Sequence, residues 1–210
     1  MSNDTVSVDP RVSMQLAEIR KRLGDLESKA PSILMNALNA TGRAVRKQIV
    51  MEAKNEYKIT KSGMMTLNNA MPIAKRASRA DLTVILKSEG PMNDLMSFMV
   101  SPKTISRGTV RPDSYMAQVL KAGGSKMLDG DPKPFVTQFR SGHIAIAVRV
   151  PGRKMVSDPS KDFIKKLLSP AVPHMLNNDD IQEKAQKMVE EILPQKIDAL
   201  IAKTLASAKV

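Results

Sequence analysis

Residues 143–150 read His-Ile-Ala-Ile-Ala-Val-Arg-Val, and this stretch decides the class of fold. Ile144, Ile146, Val148 and Val150 fall at every second position, so all four lie on one face of an extended chain. A helix would need apolar spacings of three and four instead. The same period of two recurs upstream. Leu82, Val84 and Leu86 alternate with Thr83, Ile85 and Lys87, and Tyr115, Ala117 and Val119 repeat the pattern. Leu95–Val100 and Phe135–Phe139 read as further strands. Turn chemistry separates them at Glu89-Gly90-Pro91, at Gly123-Gly124 and over Asp129–Pro134, with a longer loop over Ser101–Pro112. No helical pattern lies between these strands, which predicts an antiparallel meander of four or five strands.

Outward from this sheet the period changes to that of helices. Val12, Leu16, Ile19, Leu23 and Leu26 form one stripe, and Leu34, Leu38, Thr41, Val45, Ile49 and Glu52 form a second. Residues 11–56 therefore read as a long helical arm broken near Ala30-Pro31. Thr60 caps a short helix through Met64, Leu67 and Met71, and Asp162–Leu168 reads as another. After the turn Ser169-Pro170-Ala171-Val172-Pro173, Asn178, Asp179 and Asp180 open a last helix. Its stripe is Ile181, Ala185, Met188, Ile192, Ile197, Leu200, Ile201 and Leu205, with a kink or break expected at Pro194. The class is α+β: an antiparallel sheet flanked by long N-terminal and C-terminal helices. The expected organisation is a disordered tail over 1–10, one domain over 11–177, and a C-terminal helix over 178–210 packed on that domain or on a neighbouring subunit. The stripe residues Leu16, Ile19, Leu23 and Leu26 are the expected contacts between copies.

The formal charge of +12 is unevenly placed. Residues 61–170 hold 18 basic and 8 acidic side chains, a net of +10, against +3 before them and −1 after. The expected basic surface comprises Lys75, Arg76, Arg79, Arg107, Arg111, Arg153, Lys154, Lys165 and Lys166. Its partner is acidic, either nucleic acid or a negative protein surface. Single-strand binding by stacking needs aromatics, and the chain has four Phe, two Tyr and no Trp. A solvated or protein-docking face is the favoured reading, with a DNA-binding module as the alternative.

Catalytic and metal chemistry find no foothold in the sequence. There is no cysteine, so thiolate nucleophiles, disulfides and thiolate-bound zinc are excluded. His143 and His174 lack any ligand spacing around them. Asp129-Gly130-Asp131 lacks the closing ligands of a calcium loop, and Gly123-Gly124-Ser125-Lys126 lacks the spacing of a phosphate loop. No enzyme, metal, cofactor or small-molecule ligand is expected. No apolar run reaches the roughly 18 residues of a membrane span, and Met1–Pro10 lacks the order of a secretion signal, so a cytoplasmic setting without membrane contact is expected. The 15 methionines, with Met64, Met65, Met71, Met92, Met96 and Met99 around the helix-to-sheet transition, suit core and subunit contact together.

Read in order, residues 30–177 resemble the minor tail protein Z family of lambda-like tailed phages. The resemblance is carried by Ala30-Pro31, Ala37-Leu38-Asn39 and Val45, then by Tyr57-Lys58-Ile59. It continues through Arg79-Ala80-Asp81-Leu82-Thr83-Val84, Gly90, Leu95, Phe98, Phe135 and Val148-Arg149. It ends with Ile164–Leu168, Ser169-Pro170-Ala171-Val172-Pro173 and Met175. The chain differs from the family pattern at Ser169, where glycine is usual, and at Ala171, where serine is usual. The resemblance implies a virion structural subunit of the tail or neck, assembled in the host cytoplasm, that completes the tail and joins it to the head. It implies a fold like neck and tail-terminator subunits, a ring of copies (six expected) around the DNA channel, and other tail and neck proteins as partners. Non-specific contact with phage DNA is a further expectation. Ser169, Pro170 and Pro173 would form a packing turn.

Overall fold

The computed structural model describes residues 5–8, 12–90, 92–105, 112–176 and 179–208. The fold is α+β, with long helices near both ends of the chain and antiparallel strands between. The chain divides into two compact units, each gathered from separate stretches. One comprises Met1–Glu52, Asn69–Glu89 and Pro173–Val210; the other comprises Ala53–Asn68 and Gly90–Val172. This partition differs from the expected single domain over 11–177 with residues 178–210 appended. Apolar periodicity reports which residues are buried, not which core receives them.

In the first unit, strand β1 (Thr5–Val8) precedes helix α1 (Val12–Leu23), a 3-10 stretch over Gly24–Lys29, and helix α2 (Ala30–Glu56). Within the expected disordered tail over 1–10, residues 5–8 form β1: Thr-Val-Ser-Val is a β-branched, alternating run of the kind strands favour. Gly24 adopts φ 54°, a left-handed conformation suited to ending α1. Pro31 sits in the first turn of α2, where its missing N–H forfeits no helical bond. The buried face of α2 includes Leu34, Leu38, Thr41, Val45 and Ile49. Strands β2 (Ile73–Lys75) and β3 (Val84–Lys87) complete a sheet in the order β1-β3-β2, all pairs antiparallel. Helix α2 approaches β3 so closely at Gly42 that a Cβ there would stand 2.7 Å from Cγ1 of Val84.

The chain returns to this unit near the start of helix α4 (Val172–Leu176) and finishes with helix α5 (Asp179–Ser207). The expected capping residue Asn178 lies outside the described residues. α5 runs unbroken past Pro194, whose side chain lies on the exposed side. One missing backbone bond is outweighed where Leu193 and Ile197 are anchored in the core on either side. The buried row is Ile181, Ala185, Val189, Leu193, Ile197 and Ile201, so Val189 and Leu193 take the places expected of Met188 and Ile192. Four-residue steps overshoot the helical repeat by about 40° each, and the row winds around the helix. Arg22 of α1 bonds Asp198 of α5 at 2.7 Å, and Lys184 of α5 bonds Glu52 of α2 at 3.1 Å.

In the second unit, helix α3 (Lys61–Asn69) is capped by Thr60, as expected. The Gly63 N–H donates to Thr60 Oγ1 at 3.3 Å, while Thr60 Oγ1 donates to the Ser97 carbonyl at 2.9 Å. The strands are β4 (Met92–Asp94), β5 (Met99–Ser101), β6 (Tyr115–Gln118), β7 (Lys126–Leu128), β8 (Phe135–Gln138), β9 (Ile144–Met155), β10 (Asp158–Lys166) and β11 (Leu168–Ala171). They form three small antiparallel sheets, β5-β6-β7, β10-β9-β8 and β11-β4, not one sheet of four or five strands. The expected strand Leu95–Val100 is divided by a 3-10 turn over Leu95–Ser97, fixed by Asp94 Oδ1 accepting the Met96 N–H at 3.0 Å. The expected helix Asp162–Leu168 is strand β10 with the start of β11. Pairing with β9 overrides a local pattern in which Phe163, Ile164, Leu167 and Leu168 fall at helical spacings. Leu95, Val100, Tyr115, Ala117, Val136 and Ile146 form the core of this unit.

Candidate functional site

The residues singled out by sequence do not converge on one place. Ile19 and Leu23 are buried within the first unit, with Leu16 and Leu26 half-buried beside them. Of the expected contacts between copies, Ile19 and Leu23 are thus committed to the chain's own core, and Leu16 and Leu26 keep part of their surface open. Ser169 and Pro170 lie in strand β11 and not in a turn: Ser169 pairs with Asn93, whose side-chain Nδ2 donates to the Pro170 carbonyl at 2.9 Å. Pro173 lies in the first turn of α4. The chain redirects here through a strand end and a helix start, which satisfy backbone groups a free turn would leave to water.

The basic residues fall into two groups. Lys75, Arg76 and Arg79 lie on the exposed side of the first unit, with Lys75 paired to Asp81. Arg153, Lys154, Lys165 and Lys166 belong to the β9–β10 hairpin of the second unit. Arg107 and Arg111 lie outside the described residues.

That hairpin is an arm. β8 pairs β9 only over Ile144–Ala147, so beyond Val148 the two strands run on as a ribbon. At its end Val156 is fully exposed, and most side chains of the ribbon face solvent. Opposite Phe163 the register jumps, leaving Pro151, Gly152 and Arg153 as a bulge in β9; Gly152 adopts φ 78°, which glycine tolerates. Arg153 lies over the ring of Phe163 at 4.1 Å from its centroid, and Arg149 over Phe135 at 5.5 Å. From Ile144 to Lys166 the arm carries six basic and two acidic side chains, a net of +4. Both acids are tied to cations: Lys161 bonds Asp158 at 2.7 Å and Lys154 bonds Asp162 at 2.8 Å. The Lys161 ammonium and the Ser160 hydroxyl hold the Asp158 carboxyl down at about 2, and Lys154 lowers that of Asp162. The charge pattern of the arm therefore stays fixed over the physiological range. Prolines, lysines and a bulge also keep a ribbon from pairing edge to edge with unintended strands.

A second surface lies on the outer face of the β5-β6-β7 sheet. Met116 pairs directly with Met127, and Met99 lies on the same face two positions from Ser101, the other partner of Met116. These methionines are 44%, 43% and 56% exposed for Met99, Met116 and Met127, so three large apolar side chains of one face point to solvent. The opposite face supplies Val100, Tyr115 and Ala117 to the core. On that inner side a cavity of about 400 Å3 opens between Tyr57, Leu95, Val119, Leu120 and Leu128. Met116 and Met127 were not singled out by sequence, although the alternation Tyr115-Met116-Ala117 carried the signal. Of the methionines that were, Met71 is core, while Met65, Met92 and Met99 are exposed.

His143 Nε2 lies 2.8 Å from Asp94 Oδ2, a pairing across 49 residues that the sequence could not reveal. Asp94 also caps the 3-10 turn, and the imidazole stacks on Phe139, so the pair serves to hold the start of β9. Among the described residues no aspartate or glutamate is buried, and no group of three His, Asp or Glu could hold a metal ion. No described helix is long and apolar enough to cross a membrane. Fold and surfaces together define an α+β protein with a cationic hairpin arm and an apolar sheet face. Compared with known proteins, the chain matches no family model, no curated protein and no solved structure.

Proposed function

We propose that the protein is a non-enzymatic structural subunit that assembles with copies of itself into a ring, in the neck or tail of a phage virion. The observation that carries assembly is the face bearing Met99, Met116 and Met127. Adaptable apolar side chains held outward on a sheet suit a surface that repacks against another subunit. The arm adds reach and charge. The first half of α5 (Asp179 to Glu191) carries five acidic and two basic side chains, a net of −3, against +4 on the arm. A surface and its complement on the same chain allow head-to-tail contacts, and such contacts close into rings when the rotation between copies permits. The phage setting, and the role in tail completion and head-tail joining, rest on the ordered resemblance over residues 30–177. The alternative is a DNA-binding protein using the basic middle region over 61–170, in which Lys165 and Lys166 of the arm are exposed.

The mass of the purified protein in solution, measured by light scattering at low and high salt, tests this reading. A closed oligomer is expected, six copies by the resemblance. A monomer at both salts that co-purifies with no tail or neck protein overturns it. Tight duplex binding by that monomer, weakening steeply with salt, favours the alternative.

A further inference from the structure

Away from the arm, the first unit has a cleft of about 450 Å3 whose charged lining is all of one sign. Arg43 comes from α2, Arg76 from the residue after β2, and Lys196 from α5, with Asn36 and Asn39 beside them and Leu200 on the wall. Among the described residues no carboxylate lines the cleft, and none of the three cations has an ion pair. The acids nearest in sequence are engaged elsewhere: Asp81 with Lys75, and Asp198 with Arg22. The cleft is also held in shape. Asn39 Nδ2 donates to the Ala77 carbonyl at 2.9 Å, and its Oδ1 accepts the Ala77 N–H at 3.0 Å, fixing the backbone next to Arg76 against α2. Arg43 lies one helical turn beyond Asn39, on the same side of α2.

Three like charges brought together without a counter-charge repel one another, and an anion that enters relieves all three. Two guanidinium forks match the oxygens of phosphate bidentately, and an ammonium adds a point charge. The volume exceeds a single phosphate. We propose that this cleft binds successive phosphate groups, as in an oligophosphate or a nucleic-acid backbone. The proposal does not depend on ring assembly, and it departs from the expectation of no small-molecule ligand.

Calorimetric titration of the full chain with inorganic triphosphate, at about 0.1 M salt where exposed charges are largely screened, is the test. One-to-one saturable binding is expected. Arg43→Gln and Arg76→Gln should each weaken it at least about tenfold, as expected for loss of a charge-assisted bond. Lys196→Gln should weaken it less, and Lys75→Gln, whose lysine is already paired with Asp81 outside the cleft, should leave it unchanged. All four side chains are exposed, and thermal melts of the variants show whether folding is kept. No saturable binding by the wild-type chain, or equal loss in Lys75→Gln, overturns the proposal. A short DNA duplex then identifies the source. Displacement of triphosphate by duplex, lost in the same variants, assigns the cleft to a nucleic-acid backbone; duplex that does not compete assigns it to free oligophosphates.

Discussion

Asn39 and Ala77 exchange two hydrogen bonds, the Asn39 amide acting toward the Ala77 backbone as a strand neighbour would. The segment between β2 and β3 has no helix or strand of its own; beside the Ser78 N–H bond to the Asp81 carbonyl at 2.8 Å, this side chain satisfies both backbone groups of Ala77. Asn39→Ala leaves a buried N–H without its acceptor and should cost about 1–3 kcal/mol in denaturant unfolding. Asn39→Asp keeps the acceptor but turns a donor into a charge facing a carbonyl, and should cost at least as much. An unchanged midpoint in both variants would show that the segment is held by other contacts.

Two glycines mark where backbones meet. A Cβ at Gly63 would collide with the Ser97 carbonyl oxygen, and one at Gly42 with Val84. Neither neighbour is the loose end of a long side chain, since one is backbone and the other β-branched. Gly63→Ala and Gly42→Ala should each destabilise by about 1–3 kcal/mol, although alanine is the better helix former. Adding Val84→Ala should recover part of the loss at Gly42 and none at Gly63, which double-variant unfolding measures directly.

Ser169 is buried and its hydroxyl has no hydrogen-bond partner among the described residues. Ser169→Ala removes that uncompensated group while keeping the strand, and should raise stability by about 1 kcal/mol. A loss of stability, read from the unfolding midpoint, would mean that the hydroxyl finds a partner in solution.

Glu52 links pH to the seam between α2 and α5. The Lys184 ammonium on one carboxylate oxygen, and the Gln48 amide on the other, hold its carboxyl below the usual glutamate range. A depressed carboxylate contributes stability that is present above its unfolded pKa and lost as pH falls through its folded value. The wild-type chain should therefore lose part of its stability from about pH 5 downward. Glu52→Gln should be less stable at neutral pH and show a shallower acid loss. Unfolding midpoints of the two proteins across that range make the comparison, and parallel curves would remove Glu52 from the account.

Met116→Glu places a charge at the middle of the apolar face without touching the core beneath. It should shift the light-scattering mass from oligomer to monomer and leave the thermal midpoint of the monomer nearly unchanged. Mild oxidation to methionine sulfoxide should act in the same direction. An oligomer that survives both would place subunit contact elsewhere on the chain.

The helices were legible because their signal is local. Thr60 caps α3, Pro31 opens α2, and the stripes of α1 and α2 predict burial of Ile19, Leu23, Leu34, Val45 and Ile49. Strand β9 was legible from Ile144 to Val150, but its continuation through Pro151 and Gly152 was not, because a bulge discards the alternation that announces a strand. Residues 162–168 misled because Phe163 and Leu167, four apart, fit a helix until β9 pairs with them. The surfaces were least legible. Charge density marked residues 61–170, yet nothing local says that Arg76 joins Arg43 and Lys196 while Arg153 rides on an arm. Those groupings arise from pairings between stretches far apart in the chain, as with His143 and Asp94.

The interleaving of the two units sets an order on biosynthesis. The unit containing Gly90–Val172 has all its residues once translation passes Val172, whereas the other still lacks α5. Until the last helix emerges from the ribosome, the surfaces that Ile181, Val189, Leu193 and Ile197 cover stand open to water. A nascent chain stalled before residue 181 would thus be a substrate for chaperones, with one half finished and the other waiting for its closing segment.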